Sequence, residues 1–325
     1  MKKRLLSAIL ILTCAVTLLT GCGLNEKKMR LGAAGIGGTY YTFCNSFAEL
    51  AMKDDPDYEI EVRSTAGSSA NLRLLSENYV KLAIAQSDLT NDAYYGTGTF
   101  KHTKKYQGYS AIAGLYQEAC QIIVKADSGI ESLEDLQGKT VSIGDSESGT
   151  EKNAKQILAA SGFSSGLVKQ INLSYTEAVT DLKNGEIDAM FCTAGTQTTI
   201  LEELAKQCEI RLIPIDENTA GKLKAEYGFY EDFTIPANTY TGQEESIQTL
   251  SVKSVLLASN KLSDETVKFI TETLFQHADD LQYSVPVDFT LDPKEAVNGI
   301  TIPFHPGAIS YYKELGVKIP EHTEK

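Results

Sequence analysis

The chain has 325 residues, 42% of them hydrophobic, enough for a sizeable core and about two domains. Its 30 basic residues face 43 acidic ones, a formal charge of −13. That balance excludes non-specific nucleic-acid binding as a main role, because neutralising phosphates needs a basic face.

In chain order, Met1-Lys2-Lys3-Arg4 is a basic start followed by an apolar run from Leu5 to Thr20. The run is shorter than the roughly 20 residues a membrane-spanning helix needs, and its basic flank is that of a secretory signal. Leu19-Thr20-Gly21-Cys22 reads as a lipobox, so residues 1–21 are expected to be removed and Cys22 to carry diacylglycerol. An uncleaved anchor helix is the alternative, and either way the rest of the chain is expected outside the cytoplasmic membrane. Cleavage takes away three basic and no acidic residues, leaving 27 against 43, a net −16. Residues 22–28 form a short polar tether, and two acyl chains anchor stably where one is marginal.

From Met29 onward, short apolar runs alternate with amphipathic stretches, the pattern of a βαβ protein. Residues 29–34 read as a strand, 35–38 as a turn, and Thr39 opens a helix with Phe43, Phe47, Leu50 and Ala51 at helical spacing. Residues 58–64 alternate as a strand, Gly67-Ser68-Ser69 caps a helix carrying Leu72, Leu75 and Tyr79, and residues 81–85 form the next strand. The middle of the chain repeats this layout. A strand over 140–144 and a turn over 145–150 precede a helix through Ala154, Ile157 and Leu158. Ser174 and Glu177 have capping-box spacing at the head of a helix that stops near Gly185, and a strand follows over 187–191. Two long β-like runs, 110–125 and 248–259, lie between and after these units. They are expected to pair as crossover strands of a hinge, with the helices of 263–277 returning to the first lobe. The implied division is lobe 1 from 29–117 and 248–325, and lobe 2 from 118–247.

Three glycine- and hydroxyl-rich turns, at 35–40, 66–71 and 145–151, run from strand ends into helix starts. The first turn of a helix presents free N–H groups and about half a positive charge, which suits a carboxylate or phosphate. In open α/β sheets such turns collect at the carboxyl ends of the strands, where ligands bind. Candidate ligand-binding residues from these turns are Thr39, Tyr40, Ser69, Asn71, Ser148, Gly149 and Thr150, the hydroxyls adding donors. The plainer reading is that each Ser or Thr is only a helix cap.

None of the turns carries the G-K-[ST] of a phosphate loop or the G-x-G-x-x-G of a dinucleotide fold, so no cofactor is expected. No catalytic residue or metal site is expected either. The four histidines stand apart, no serine lies in a G-x-S-x-G elbow, and Asp54, Asp55 and Asp57 lack calcium-loop spacing. His305 reads as structural. Cys44, Cys120, Cys192 and Cys208 form no C-x-x-C pair and read as buried small hydrophobes, with a Cys192–Cys208 bridge left open.

The segments Gly37-Gly38-Thr39-Tyr40-Tyr41, Ser64-Thr65-Ala66-Gly67-Ser68 with Asn71-Leu72, Gln86-Ser87-Asp88, Ala111 to Tyr116, residues 135–139, Ser148-Gly149-Thr150, residues 185–189, residues 234–240 and residues 303–308 occur together in this order. This set resembles the TAXI family, the extracytoplasmic solute receptors of TRAP-type transporters, over nearly the whole mature chain. The resemblance implies an α/β, two-lobed periplasmic-binding-protein fold of type II character. It implies a monomer that closes on a small solute, glutamate and related acids or amino acids being favoured, and hands it to an ion-driven permease. The chain departs from the family at Tyr116-Gln117-Glu118-Ala119, where a proline often follows the tyrosine, and at Cys192-Thr193-Ala194-Gly195, usually apolar before the glycine. With four arginines in the mature chain, helix-end amides and hydroxyls are expected to carry a carboxylate. Glu118 or Asp88 would accept an ammonium group or serve structure alone, while Gln86 and Tyr116 would orient polar atoms. The rival functions are a surface sensor and a secreted enzyme built on the same cleft.

Overall fold

A computed structural model describes residues 26–163, 166–285 and 289–320. The signal, the lipobox and Cys22 lie outside the described residues, as does most of the tether.

Ten strands form one continuous sheet with helices packed on it. They are β1 (Lys28–Gly32), β2 (Glu59–Arg63), β3 (Leu82–Gln86), β4 (Tyr109–Lys125), β5 (Thr140–Ser142), β6 (Lys169–Ile171), β7 (Ala189–Ala194), β8 (Ile210–Leu212), β9 (Glu231–Ile235) and β10 (Ile247–Ser259). The helices are α1 (Thr39–Asp54), α2 (Ser68–Ser76), α3 (Ser87–Tyr95), α4 (Gly149–Ala160), α5 (Tyr175–Asn184), α6 (Thr199–Gln207), α7 (Glu217–Tyr227), α8 (Asp264–Gln276), α9 (Ala278–Ser284) and α10 (Pro306–Glu314).

The main path of the sheet runs β2-β1-β3-β10-β4-β7-β5-β6, with β8 added on β4 and β9 on β10. Its two ends repeat one motif: a parallel trio, β2-β1-β3 or β6-β5-β7, meets an antiparallel strand. Those antiparallel strands are β10 and β4, which pair with each other along most of their length. The two long apolar runs of the sequence thus become a shared spine. Every residue of β3, Leu-Ala-Ile-Ala-Gln, is buried, as expected of a strand covered on both faces.

The result is a two-lobed fold. One hydrophobic cluster draws on residues from Met29 to Tyr116 and from Val255 to Tyr312. Two further clusters draw on residues between Ala119 and Val252. The changeover falls inside β4 and β10, so both lobes rest on the same two strands.

Local sequence explains most element boundaries. The capping box at α5 closes in both directions, Ser174 N–H donating to Glu177 Oε2 at 2.9 Å and Glu177 N–H to Ser174 Oγ at 3.3 Å. Gly185 ends that helix in the left-handed conformation, φ 75°, where a Cβ would be penalised. His305 is a buried N-cap of α10, its Nδ1 accepting from Gly307 N–H at 3.2 Å, and burial lowers its pKa. Two elements differ from the sequence pattern. The chain enters a helix, α3, directly at Ser87, where the pattern marked none. Tyr79 lies beyond the end of α2, exposed beneath the Arg30 guanidinium at 4.6 Å. Cys192 is buried and Cys208 half-buried, and both are free, so no bridge joins them.

Candidate functional site

The three small-residue turns come together at the junction of the lobes. The turn after β1 leads into α1, the turn after β2 into α2, and the turn after β5 into α4. The first residues of all three helices, Thr39 and Tyr40, Ser68, and Gly149 and Thr150, line one cavity. Parallel strands put their carboxyl ends, and hence the following helix N-termini, on one side of the sheet. Gln86 from the end of β3, Glu118 from β4, Tyr175 from the head of α5 and Thr193 and Ala194 from the end of β7 complete the wall. The cavity encloses about 40 Å³, room for roughly three waters at about 10–15 Å³ each.

So small a space reflects lobes drawn tightly together. Gly195 N–H donates to Thr39 Oγ1 at 3.1 Å. The Gly37 carbonyl accepts from Thr198 Oγ1 at 3.1 Å and from Ile200 N–H at 3.2 Å. Ala70 N–H reaches the Glu147 carbonyl at 3.1 Å. Gln86 Nε2 donates to Asn153 Oδ1 at 3.0 Å. Behind it, Lys152 Nζ is buried between Asp88 at 3.1 Å and Asp92 at 2.9 Å. Closeness also fixes residue size. A Cβ on Gly149 would stand 2.4 Å from the Gln86 side-chain carbonyl, so any larger residue there would have to push the Gln86 amide out of its place. Gly67 precedes α2 at φ 125° and ψ −147°, a conformation open to glycine alone.

The wall combines donors with acids. It is rich in donors: three helix starts with the hydroxyls of Thr39, Ser68, Ser148, Thr150 and Tyr175. Thr150 and Tyr175 are fixed to each other at 2.7 Å, Tyr175 Oη also facing the Thr193 carbonyl at 3.1 Å, while Thr193 N–H donates to Thr150 Oγ1 at 3.2 Å. Burial raises the Tyr175 pKa well above the ordinary tyrosine range, so it remains a hydroxyl. Acids stand beside these donors. Glu118 is buried and accepts from Tyr40 Oη at 2.7 Å. Burial pushes its pKa up to about 8, although hydrogen bonding to Tyr40 and Gln86 pulls it down and nearby Asp88 adds to the rise. Asp145, also in the wall, is raised by burial and then by Glu177. Among the described residues, no lysine or arginine lines the cavity, and no group of three or more His, Cys, Asp or Glu could hold a metal ion.

Seven of the ten sequence candidates line this cavity: Thr39, Tyr40, Gln86, Glu118, Ser148, Gly149 and Thr150. Three lie outside the lining. Ser69 is half-buried, and its neighbour Ser68 takes the wall position because the helix begins one residue earlier than the glycine–serine run suggests. Asn71 is fully buried and clamps the backbone, Nδ2 donating to the carbonyls of Ala33 at 2.5 Å and Ile84 at 2.8 Å. Tyr116 lies beneath the wall, packed edge-on against Tyr40 with ring centroids 6.5 Å apart. Ser148 caps α4 as well as lining the cavity, its Oγ accepting from Glu151 N–H at 2.9 Å. Asp88 is held by Lys152, which fits its structural alternative. Ser68, Asp145, Tyr175 and Thr193 are wall residues the pattern did not single out. The capping box at Ser174 marked the head of α5, but nothing local showed that Tyr175 would turn toward the other lobe.

The sequence profile of the NMT1-like family matches residues 31–316. The chain belongs to the NMT1-like family. This is a family of periplasmic solute-binding proteins. Solved structures share the fold at low identity. The periplasmic binding protein BugD matches with a TM-score of 0.57 at 10% identity, covering 90% of this chain and 98% of its own. A binding protein component of an ABC phosphonate transporter from Pseudomonas aeruginosa gives 0.51 at 12% identity, covering 80% and 79%. A putative L-cystine ABC transporter from Listeria monocytogenes gives 0.50 at 14% identity, covering 83% and 99%. The NMT1-like chain thus has the two-lobed solute-receptor fold, and its cavity occupies the junction of the lobes.

Proposed function

We propose that this NMT1-like protein is an extracytoplasmic, lipid-anchored receptor that closes on a small amino acid or carboxylic acid of glutamate-like size and delivers it to a TRAP-type permease. The observation that carries the ligand class is that one cavity wall holds both donors and a buried acid. Helix N-termini and hydroxyls suit a carboxylate, and the buried Glu118 in the same wall suits an ammonium group. The ordered TAXI-like motifs support the TRAP partnership, and Leu19-Thr20-Gly21-Cys22 supports acylation at Cys22. The change of hydrophobic cluster within β4 and β10 supports lobe boundaries near 117–118 and 247–248. Interlobe bonds on several sides of the cavity hold the lobes closer than a ligand of this size allows, so the bound state would be a wider closure, and the ligand would shift the lobes only by its preference for that state.

A thermal-shift panel of amino acids, dicarboxylates, sulfonates and phosphonates tests the class. Ligand at 100 times its Kd stabilises by about 2.7 kcal/mol. Calorimetry on two variants then tests the site. Thr150→Ala removes a wall hydroxyl and should weaken binding by about 1.5–3 kcal/mol, the range for hydrogen bonds to charged groups. Ser69→Ala, outside the wall, should leave affinity unchanged. Stabilisation by sulfonates or phosphonates alone, or equal losses in the two variants, would overturn the assignment.

A further inference from the structure

Glu118 and Gln86 are two buried residues of the cavity wall, the Gln86 amide hydrogen-bonding toward Glu118. Glu118 is 3% exposed and Gln86 1%, and both line the cavity. Gln86 Nε2 is committed to Asn153, while its Oε1 is buried with no hydrogen-bond partner. A buried acceptor left unpaired is unfavourable, so a donor from a ligand would be favoured at Gln86 Oε1.

Among the described residues, the groups around Glu118 give it no cation. Tyr40 on α1, Asp88 on α3, Tyr175 on α5, Cys192 on β7, and Tyr116 and Cys120 on its own strand all interact with it electrostatically, and each is acidic or neutral. Asp145 across the cavity adds another acid. Lys152, one residue before the Asn153 that holds Gln86, is committed to Asp88 and Asp92. With a pKa raised to about 8 by burial, the empty site carries Glu118 as a neutral acid at pH 7.

We propose that an ammonium group of the ligand seats on the Glu118 carboxylate, and that its arrival displaces the Glu118 proton to solvent. This rests on the amino-acid reading above and adds proton release to it. The carboxyl O–H bond breaks, the proton passes to buffer, and the ammonium keeps all its hydrogens, so the site exchanges one positive charge for another. Below about pH 8 binding should release close to one proton, and the release should fade above it. Affinity should then rise about tenfold per pH unit up to that point and level off, because only the ionised carboxyl receives the cation.

The test is titration calorimetry at pH 6.5 in two buffers of different ionisation enthalpy. The probes are L-glutamate and glutarate, which has the same two carboxylates and no amino group. The expected result is a buffer-dependent heat equivalent to about one proton for glutamate and none for glutarate. Glu118→Gln, the neutral near-isostere of the protonated acid, should melt cooperatively, release no proton and lose the pH slope. Glutamate binding with no buffer dependence, or a pH slope that survives Glu118→Gln, overturns proton displacement and leaves the receptor reading intact. If glutamate fails to bind, the same measurement is made with whichever amino acid stabilises the protein and its des-amino counterpart. If no amino acid binds, both readings fall together.

Discussion

Two buried carboxylates at the lobe junction are treated in opposite ways. Asp88, with its side chain 5% exposed, has the Lys152 ammonium 3.1 Å away. Glu118, on the neighbouring crossover strand, has a tyrosine hydroxyl at 2.7 Å and no cation. Removing a charge from water is expensive, and an opposite charge in good geometry offsets much of that cost. The first carboxylate is therefore part of the protein's own contact between α3 and α4. The second keeps its proton until something positive arrives. One lysine more at the cavity wall would satisfy Glu118 and close the site to an ammonium ligand. The difference between the two acids separates what holds the lobes from what reads the solute.

The comparison is broken most severely by taking the cation from Asp88. Lys152→Met keeps much of the side chain's length but leaves Asp88 and Asp92 without their ammonium. Deleting one partner of a buried pair costs about 3–5 kcal/mol. Burial alone would lower the lysine pKa, yet Asp88 and Asp92 raise it above the ordinary value, so the charged form is the one the fold relies on. Denaturant unfolding should show the loss, and adding Asp88→Asn should restore part of it. A loss below about 1 kcal/mol in Lys152→Met would mean that the lobes do not depend on this contact.

A milder intervention changes pH instead of sequence. The Glu118 carboxyl titrates from a reference of 4.5 up to about 8 in the folded protein. A group whose folded pKa is raised contributes stability that is fully present below the reference value and lost as pH rises through the folded value. Stability of the ligand-free protein should therefore fall between about pH 4.5 and 8, by up to about 1.4 kcal/mol per pH unit from this group. Glu118→Gln is neutral throughout and should flatten that part of the profile. Melting wild type and variant in parallel across the window checks the sign. Parallel curves would show that Glu118 is not the buried unpaired acid described here.

Much of this arrangement was legible in the residues. The strand-to-helix turns with their small residues showed where three helix starts would lie, and two long β-like runs showed the crossover strands. Both are local signals. What escaped was non-local. Asn71 sits in the right turn, but its amide is consumed by carbonyls of β1 and β3, a demand set by strand neighbours distant in sequence. Tyr175 and Thr193 enter the wall because α5 and β7 converge across the lobe, and no spacing rule encodes that. Lys152 reads as one more solvated lysine on an amphipathic helix until α3 is packed against it. The short strands β8 and β9, with α6 and α7 between β7 and β9, carry weak periodicity and become definite only against the spine of β4 and β10.

The smallest effect is expected where a charge pair also bridges the lobes but stands in water. Arg73 on α2 meets Glu147 from the turn before α4, Nη2 to Oε2 at 2.8 Å, with side chains 33% and 45% exposed. Its geometry is as good as that of the Lys152 contact, with a second bond from Nε to Oε1 at 3.1 Å. Geometry alone would therefore rank the two pairs together. Solvent separates them. An exposed pair gains little over its hydrated components and is screened by salt, so exposed pairs contribute about 0–1 kcal/mol. Arg73→Ala should shift the unfolding midpoint only slightly, and the shift should shrink further at 1 M salt, where the screening length is about 3 Å. The Lys152→Met loss, being buried, should persist at the same ionic strength. A double-mutant cycle of Arg73→Ala with Glu147→Ala isolates the pair itself. A coupling above about 2 kcal/mol would place the exposed bridge among the contacts that hold the lobes, and burial would then no longer explain the contrast between them.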